Sequence, residues 1–554
     1  MADDEREPRL VRGHQAWAVL ARILLTERPI YRRDLAAELF PDTVDPLGSV
    51  RWCLASLRRA IGRETLSGDP IMANLPVGTH VDVQHIEEGD LSVENAGNLL
   101  EDVEPRASAE FTTWLLIERE RTAGRVDARL RQETMVAISA GNYDRAIRLA
   151  ELGVRRRPFE ESAHILLAKS LALSGRPEVA LEHVDATERM FLAEIGEKPS
   201  PALRSAARRT IAAPPGGIPA RTFIESLINS GVAALSAGAV EAGLDCLRRA
   251  AADAELIKDR YLQAKALLEL GAALVHSVRG YDDEGAILLR QSVEHARQCG
   301  AHDIAATGQR ELGYVDALAG RRPAAAKILQ AALESADGSH DSLAGIHAVI
   351  AFNLVDWGKV EDGLAQYDMA LDHARSAGNR RREIWALGMG GWGQLAAGKP
   401  DMARQWLTNC LGQCDDMRWL AFRPWPLALL AEAQIRLAVD PVSLRPGLED
   451  AFALSCQLGD PCWEAATARA MALTFAATDA HDTALQWLVR ARDHCARVSD
   501  PYAALLVEIF ADLAKCSRLA GAAEQAGFHT RQLVSMAART HADAHLRQAL
   551  AAAW

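Results

Sequence analysis

The sequence runs to 554 residues, 49% apolar and 25% charged, with a formal net charge of -12. That length exceeds one compact core and suggests about three or four units, while the apolar and charged shares are those of a soluble globular chain. The acidic balance excludes a polycation, so any nucleic-acid contact has to come from a local patch.

Aromatic residues make up only 5%, and alanine, leucine and arginine dominate, which favours helix over sheet; the chain reads as mainly α. The start, MADDEREPRL, is acidic and polar and does not read as a signal peptide. No apolar run reaches the roughly 18–20 residues that a membrane span needs. The nine cysteines are scattered without paired spacing, which points to reduced thiols in a cytoplasmic protein. Cys410 and Cys414 stand at i, i+4, but no histidine lies near in sequence, and buried apolar cysteine fits them better than a metal site.

In chain order, the first predicted helix is GHQAWAVLARILL (13–25) and the second is RRDLAAELF (32–40), stopped by Pro41. The third is LGSVRWCLASLRRAIG (47–62), with Asp45-Pro46 as its start signal and Gly62 as its stop. The stretch TLSGDPIMANLPVGTHVDVQHI predicts two strands with a turn near Gly78. Three short helices followed by a hairpin is the order of a winged helix, expected over residues 1–90. In the third helix Val50, Leu54, Leu57 and Ile61 form one apolar stripe, and the opposite face carries Arg51, Trp52, Ala55, Ser56, Arg58 and Arg59. Arginine bonds guanine bidentately and neutralises phosphate. The candidate DNA contacts are therefore Arg51, Trp52, Ser56, Arg58 and Arg59, with Arg32 and Arg33 from the second helix and Thr79 and His80 at the expected wing turn. A solvated basic face on an ordinary helix is the competing reading, and residues 9–85 hold ten arginines against eight acids, a net of +2.

Residues 108–211 read as long helices, and AAPPGGIPA (212–220) cannot continue one and marks a linker. A repeat then dominates: a small residue, seven positions on a turn residue, five positions on another small residue. It recurs as Ala168-Gly175-Ala180, Gly231-Gly238-Gly243, Ala273-Gly280-Gly285, Gly313-Gly320-Ala325, Ala351-Gly358-Gly363 and Gly391-Gly398-Ala403. Gly141-Ala146 shows it with Thr134 in the first place, and Gly521-Ala526 with Ala514. Four residues after the last small position stands a large apolar plug, as at Leu247, Leu289, Leu329, Tyr367 and Leu407. Small residues let two antiparallel helices approach, and glycine ends the first of them. The distance from Gly141 to Gly175 is the 34-residue tetratricopeptide (TPR) period, and later spacings run to about 40. Such hairpins stack as a solenoid, expected over 221–554.

Two segments resemble a known group. RGHQAWAVLARILL, RRDLAAELFPD and GSVRWCLASLRRAIG resemble the winged helix of bacterial regulators related to the SARP antibiotic regulators. EFTTWLLIERERT, GNYDRAIRLAELGVRRRPFEESAHILLAKSLALSGRPEVAL and AEIGEKPSPALRSAARR resemble the bacterial transcriptional activator domain (BTAD) that follows it, expected here over 91–211. The run at 194–201 is similar to the usual end of that domain. GDPCWEAATARAMAL (459–473) and the pattern at 487–502 resemble the TPR regions of large bacterial regulators of the same group and of the maltose-regulator type. The resemblance implies a transcriptional activator that binds promoter repeats in double-stranded DNA and contacts RNA polymerase. In one departure, only about a dozen mostly polar residues precede the first helix, where the family has a small β-sheet, so either an abbreviated winged helix or a late start of the sequence is expected.

No catalytic constellation stands out, and no enzyme or cofactor is expected. Gly393–Pro400 approaches a phosphate loop, but proline follows Lys399 where Ser or Thr must hold magnesium. Sixteen histidines show no ligand spacing. Tryptophans concentrate late in the chain. Arg418, Trp419, Arg423 and Trp425 are either helix packing or an arginine and aromatic groove for a small-molecule or peptide effector. The reading is a DNA-binding regulator whose solenoid senses a signal or docks another protein, with homo-oligomers open. The alternative is a TPR scaffold with a degenerate winged helix that does not bind DNA.

Overall fold

The computed structural model describes residues 11, 13–26, 29–75, 79–86, 97–101, 103, 107–207, 221–236, 240–276 and 280–553. The expected linker at 212–220, the turn residue Gly78, Gly238 of the repeat, and the short N-terminal segment of residues 1–10 lie outside them. The chain forms two compact units, Met1–Val126 and Asp127–Trp554, each taken by itself below.

Unit 1 begins with α1 (His14–Leu24), α2 (Arg32–Leu39) and α3 (Pro46–Ile61). The start of α3 is set locally: the Asp45 carboxylate accepts from the Gly48 amide at 2.7 Å, and Pro46 supplies a helical φ without wasting a donor. Val50, Cys53, Leu54 and Leu57 on one side of α3 are at most 2% exposed. They pack with Ala16, Val19 and Ile23 of α1, Leu35 and Leu39 of α2, and Phe111 and Leu115 of α5 (Ala109–Ser139). Two short antiparallel strands follow α3, β1 (Leu66–Ser67) and β2 (Met72–Ala73). An isolated antiparallel bridge joins Ile30 to Ile71. Helix, bridge, helix, helix, hairpin is a winged helix.

The hairpin closes over Gly68–Ile71, about ten residues before the expected turn. Leu66 and Ile71 supply the buried side chains, and Gly68 takes φ +85, where an added Cβ would meet the Pro70 carbonyl oxygen at 2.8 Å. Val81 and Val83 mimic strand alternation, yet they belong to the start of a short helix, α4 (Asp82–His85). Asp82 favours that first turn, and the Gln84 amide donates to the Leu24 carbonyl at 3.1 Å.

Unit 2 takes up the second half of α5 and continues with α6 (Tyr143–Arg156), α7 (Glu161–Leu173), α8 (Pro177–Glu194) and α9 (Pro201–Ala206). The helical hairpins that follow are α10 (Arg221–Ser236) with α11 (Val240–Leu256), α12 (Arg260–His276) with α13 (Asp282–Cys299), α14 (His302–Leu318) with α15 (Arg322–Ser335), and α16 (His340–Asp356) with α17 (Val360–Ser376). After these come α18 (Arg380–Ala396) with α19 (Pro400–Met417), α20 (Pro424–Arg436) with α21 (Pro441–Leu458), α22 (Pro461–Ala476) with α23 (His481–Cys495), α24 (Ala503–Leu519) with α25 (Ala523–Arg539), and α26 (Asp543–Ala553). From α12 to α24 the first helix of each hairpin also packs on the first helix of the next, which is the stacking of a TPR-type solenoid.

The small residues stand where backbones meet. A Cβ on Gly313 would lie 2.5 Å from the Leu329 side chain, and one on Gly391 2.4 Å from Leu407. The plugs Leu247, Leu289, Leu329, Tyr367 and Leu407 are all at most 1% exposed. One register differs from the sequence pattern. Gly271, rather than Ala273, meets its partner helix: a Cβ there would lie 3.0 Å from the Gly285 carbonyl oxygen. Asp282 begins α13 six residues after the end of α12 at His276, whereas Arg322 begins α15 four residues after Leu318, so a fixed spacing misplaces the contact by two. Among the described residues no helix is long and apolar enough to cross a membrane.

Gly313→Ala should cost about 1–3 kcal/mol, since Leu329 has to move. Gly412→Ala, mid-helix with nothing within 4 Å of the new methyl, should stabilise by up to about 1 kcal/mol. Denaturant melts of the two variants check the sign of each, and equal shifts would contradict the close approach. Buried His164 and half-buried His183, 3.1 Å apart, give a pH prediction. Burial, with His164 adding, pushes His183 down from 6.5 to about 4. The folded state therefore holds fewer protons than the unfolded one. Its stability is complete above about 6.5 and falls as pH drops toward about 4. His183→Gln should flatten that part of the melting-temperature curve; parallel curves for variant and wild type would contradict this.

Candidate nucleic-acid interface and solenoid groove

Because one side of α3 is spent on the core, its other side faces out. Arg51 is exposed, with its guanidinium 3.6 Å from the Asp45 carboxylate, and Trp52 is 58% exposed. Ser56 is half-buried and Arg59 exposed, the latter with Nε donating to the Ala55 carbonyl at 3.3 Å. Beside them Arg33 is exposed, 3.4 Å from Asp34 and over the Tyr31 ring at 5.1 Å.

Two of the sequence candidates do something else. Arg58 Nε donates to the Leu66 carbonyl at 2.7 Å, tying α3 to β1. Arg32 is held at the hairpin turn, its guanidinium donating to the Gly68 carbonyl at 3.0 Å and its amide to the Asp69 carboxylate at 2.9 Å. Thr79 and His80 are exposed but precede α4 rather than turn between strands. The turn itself, Gly68-Asp69-Pro70, was signalled in the sequence by its Gly and Asp-Pro punctuation. Cys53, behind the face, is no reactive thiol: burial raises it to about 11.

The four late residues do not make one groove. Arg418 ends α19 at φ +52 and is exposed. Trp419 stacks on Phe422 at 5.0 Å under the Arg381 guanidinium at 4.9 Å, and Arg423 pairs with Asp415 at 2.8 Å. Trp425 is fully buried, with ring centroids 5.2 Å from Trp463 and 5.6 Å from Trp392. It shares a face of α20 with the buried Ala428 and Leu429, so helical spacing carries it inward. Cys410 and Cys414 are also buried. Among the described residues no group of three or more His, Cys, Asp or Glu is placed to hold a metal ion.

At the end of the long-helix segment, Ser200 stands at the N-cap position of α9 but turns its side chain to α7 instead of capping. Its amide donates to the Glu161 carboxylate at 3.0 Å, its hydroxyl bonds the same oxygen, and Pro201 follows at the first helical position. This fixes the Lys198-Pro199-Ser200-Pro201 run against α7.

Residues 95–210 match the bacterial transcriptional activator domain. No curated protein matches the sequence. Among solved structures, a Rap protein complexed with competence and sporulation factor is 12% identical, covering 75% of this chain and 99% of its own, at a TM-score of 0.31. Yeast Tom70 is 10% identical over 80% and 91%, also at 0.31. Likenesses this weak carry no argument, and the TPR-type assignment rests on the hairpins of unit 2. The chain thus carries a bacterial transcriptional activator domain at 95–210, together with a winged helix and TPR-type hairpins.

Proposed function

We propose that the protein is a cytoplasmic, DNA-binding transcriptional regulator, acting as an activator. In this reading the outward face of α3 enters the major groove of promoter repeats, and unit 2 docks RNA polymerase or another protein, or takes an effector. The observation that carries it is the division of α3: Val50, Cys53, Leu54 and Leu57 are sunk in the core while Arg51, Trp52 and Arg59 face out. A helix built this way presents a base-reading arginine and an apolar ring on one accessible side. Arg51 reads a base; Trp52 packs on a base edge such as a thymine methyl; Arg33 and Arg59 neutralise phosphate. A protein-only scaffold is the second reading. It is favoured by the holding of Arg32 and Arg58 at the hairpin, which leaves few arginines for a duplex.

Binding of duplex by the full chain across a salt series separates the two. Arg51→Ala should cost on the order of 1–3 kcal/mol on the preferred sequence and relax its preference. Arg59→Ala should weaken all duplexes alike and lower the slope of log affinity against log salt by about 0.9. Arg58→Ala should instead lower the melting temperature of unit 1, because the Leu66 carbonyl loses its partner. If neither Arg51→Ala nor Arg59→Ala changes affinity in folded protein, the scaffold reading stands.

A further inference from the structure

Unit 2 buries a stretch of chain that is not helical. Between the end of α23 at Cys495 and the start of α24 at Ala503, the residues Val498, Ser499, Asp500 and Tyr502 are each less than a tenth exposed. Irregular chain normally runs over a surface, where its polar groups find water. Here its partners come from far along the sequence. The Asp500 carboxylate takes the Arg321 guanidinium in a two-pronged pair, at 3.1 and 2.9 Å, and lies 3.6 Å from Arg131. Both arginines are themselves held in place. Arg131 bonds Asp283 at 2.8 Å and Asp316 at 3.2 Å, and Arg321 bonds Asp316 at 2.7 Å.

Two residues further on, the Tyr502 ring sits in a box of Phe352 at 5.4 Å, Trp425 at 5.7 Å and Trp392 at 6.5 Å. Its hydroxyl donates to the Asp356 carboxylate at 3.3 Å. The same carboxylate takes the Trp392 indole at 3.1 Å and the buried Arg322 at 3.4 Å. The indole N–H of Trp425, fully buried in this box, has no acceptor, so the box offers a donor that its occupant does not use.

The walls thus come from α5, the turn before α15, and α16, α18 and α20, while the occupant belongs to none of them. Buried ion pairs cost desolvation that apolar packing of the same volume avoids, and a positioned fork plus a ring box with a hydrogen-bond acceptor is how sites select ligands.

We propose that residues 498–502 are a tethered ligand, filling in cis a binding site of unit 2 that takes an extended peptide with a carboxylate and, two residues later, a flat aromatic ring. The proposal concerns unit 2 alone and does not depend on DNA binding. A short tether gives the internal segment an effective concentration of about millimolar. A free peptide therefore gains the site only against that competitor, and binding it releases residues 498–502.

The probe is a fluorescent peptide of residues 496–505, ARVSDPYAAL, titrated into the full chain by anisotropy. D500A/Y502A, which vacates the site, should bind it at least about tenfold more tightly than wild type, and a peptide carrying Asn for Asp500 and Ala for Tyr502 should lose that gain. A variant that melts cooperatively but shows no gain overturns the proposal. If the variant does not fold, hydrogen exchange on the wild-type chain decides. With millimolar peptide, amides across 498–506 should exchange at least about threefold faster than with a scrambled peptide, and unchanged exchange overturns the proposal.

Discussion

Everything in unit 2 follows from one constraint: two helix backbones must come close enough that only a glycine or alanine fits between them. Gly313 against Leu329 and Gly391 against Leu407 leave no room for a further carbon. Once that approach is made, the plug of the second helix fills the space beside it, and the hairpin has two apolar faces left to bury. It buries them on the hairpins before and after, so each unit is stable only in the array. Repeating that step carries the chain round on itself: Arg321 and Asp500, 179 positions apart, form a direct pair, and Arg539 reaches Glu160 at 3.3 Å.

Charge inside the array follows a different rule from charge on its surface. Arg469 is 6% exposed, with Glu432 and Asp512 at 2.7 Å and Glu508 at 3.2 Å. The attraction of three carboxylates outweighs the desolvation that opposes charging, and holds this guanidinium well above its ordinary range. The opposing balance leaves Asp512 raised to about 6, because burial outweighs the attraction of Arg469. Such networks contribute little net stability compared with apolar packing, but they penalise any wrong pairing heavily. That suits a structure made of near-identical hairpins, in which slipping one repeat against another would leave buried charges unmatched.

Local signals in the sequence carried a large part of this. The capping Asp45-Pro46, the stripe of α3, the turn glycines and the plugs were all legible because each acts within one helix or one hairpin. What depends on three-dimensional neighbours was not. Arg58 looks like its neighbour Arg59 on a helical wheel, and only the placement of Leu66 turns it into a tie. Trp425 looks like Trp419 until the aromatic box closes over it. The pattern also failed wherever its fixed spacing or its glycine was missing. The connection to α13 is two residues longer than its counterpart before α15, and the turns of the α20 and α22 hairpins place Ala438 and Asp479 in the left-handed region, where the turns of the repeat pattern have glycine. In unit 1, alternating Val81 and Val83 imitate a strand, whereas the hairpin closes at the Gly68-Asp69-Pro70 turn.

The central claim is that the outward face of α3 brings this protein to specific DNA, and the most direct measurement is a genome-wide map of DNA crosslinked to the tagged full-length chain. The account predicts discrete peaks that share a repeated motif and vanish when Arg51 and Arg59 are both replaced by alanine in a chain that still folds. Peaks that persist in that variant, or no enriched DNA with the wild-type chain under conditions where it is expressed and folded, would contradict it.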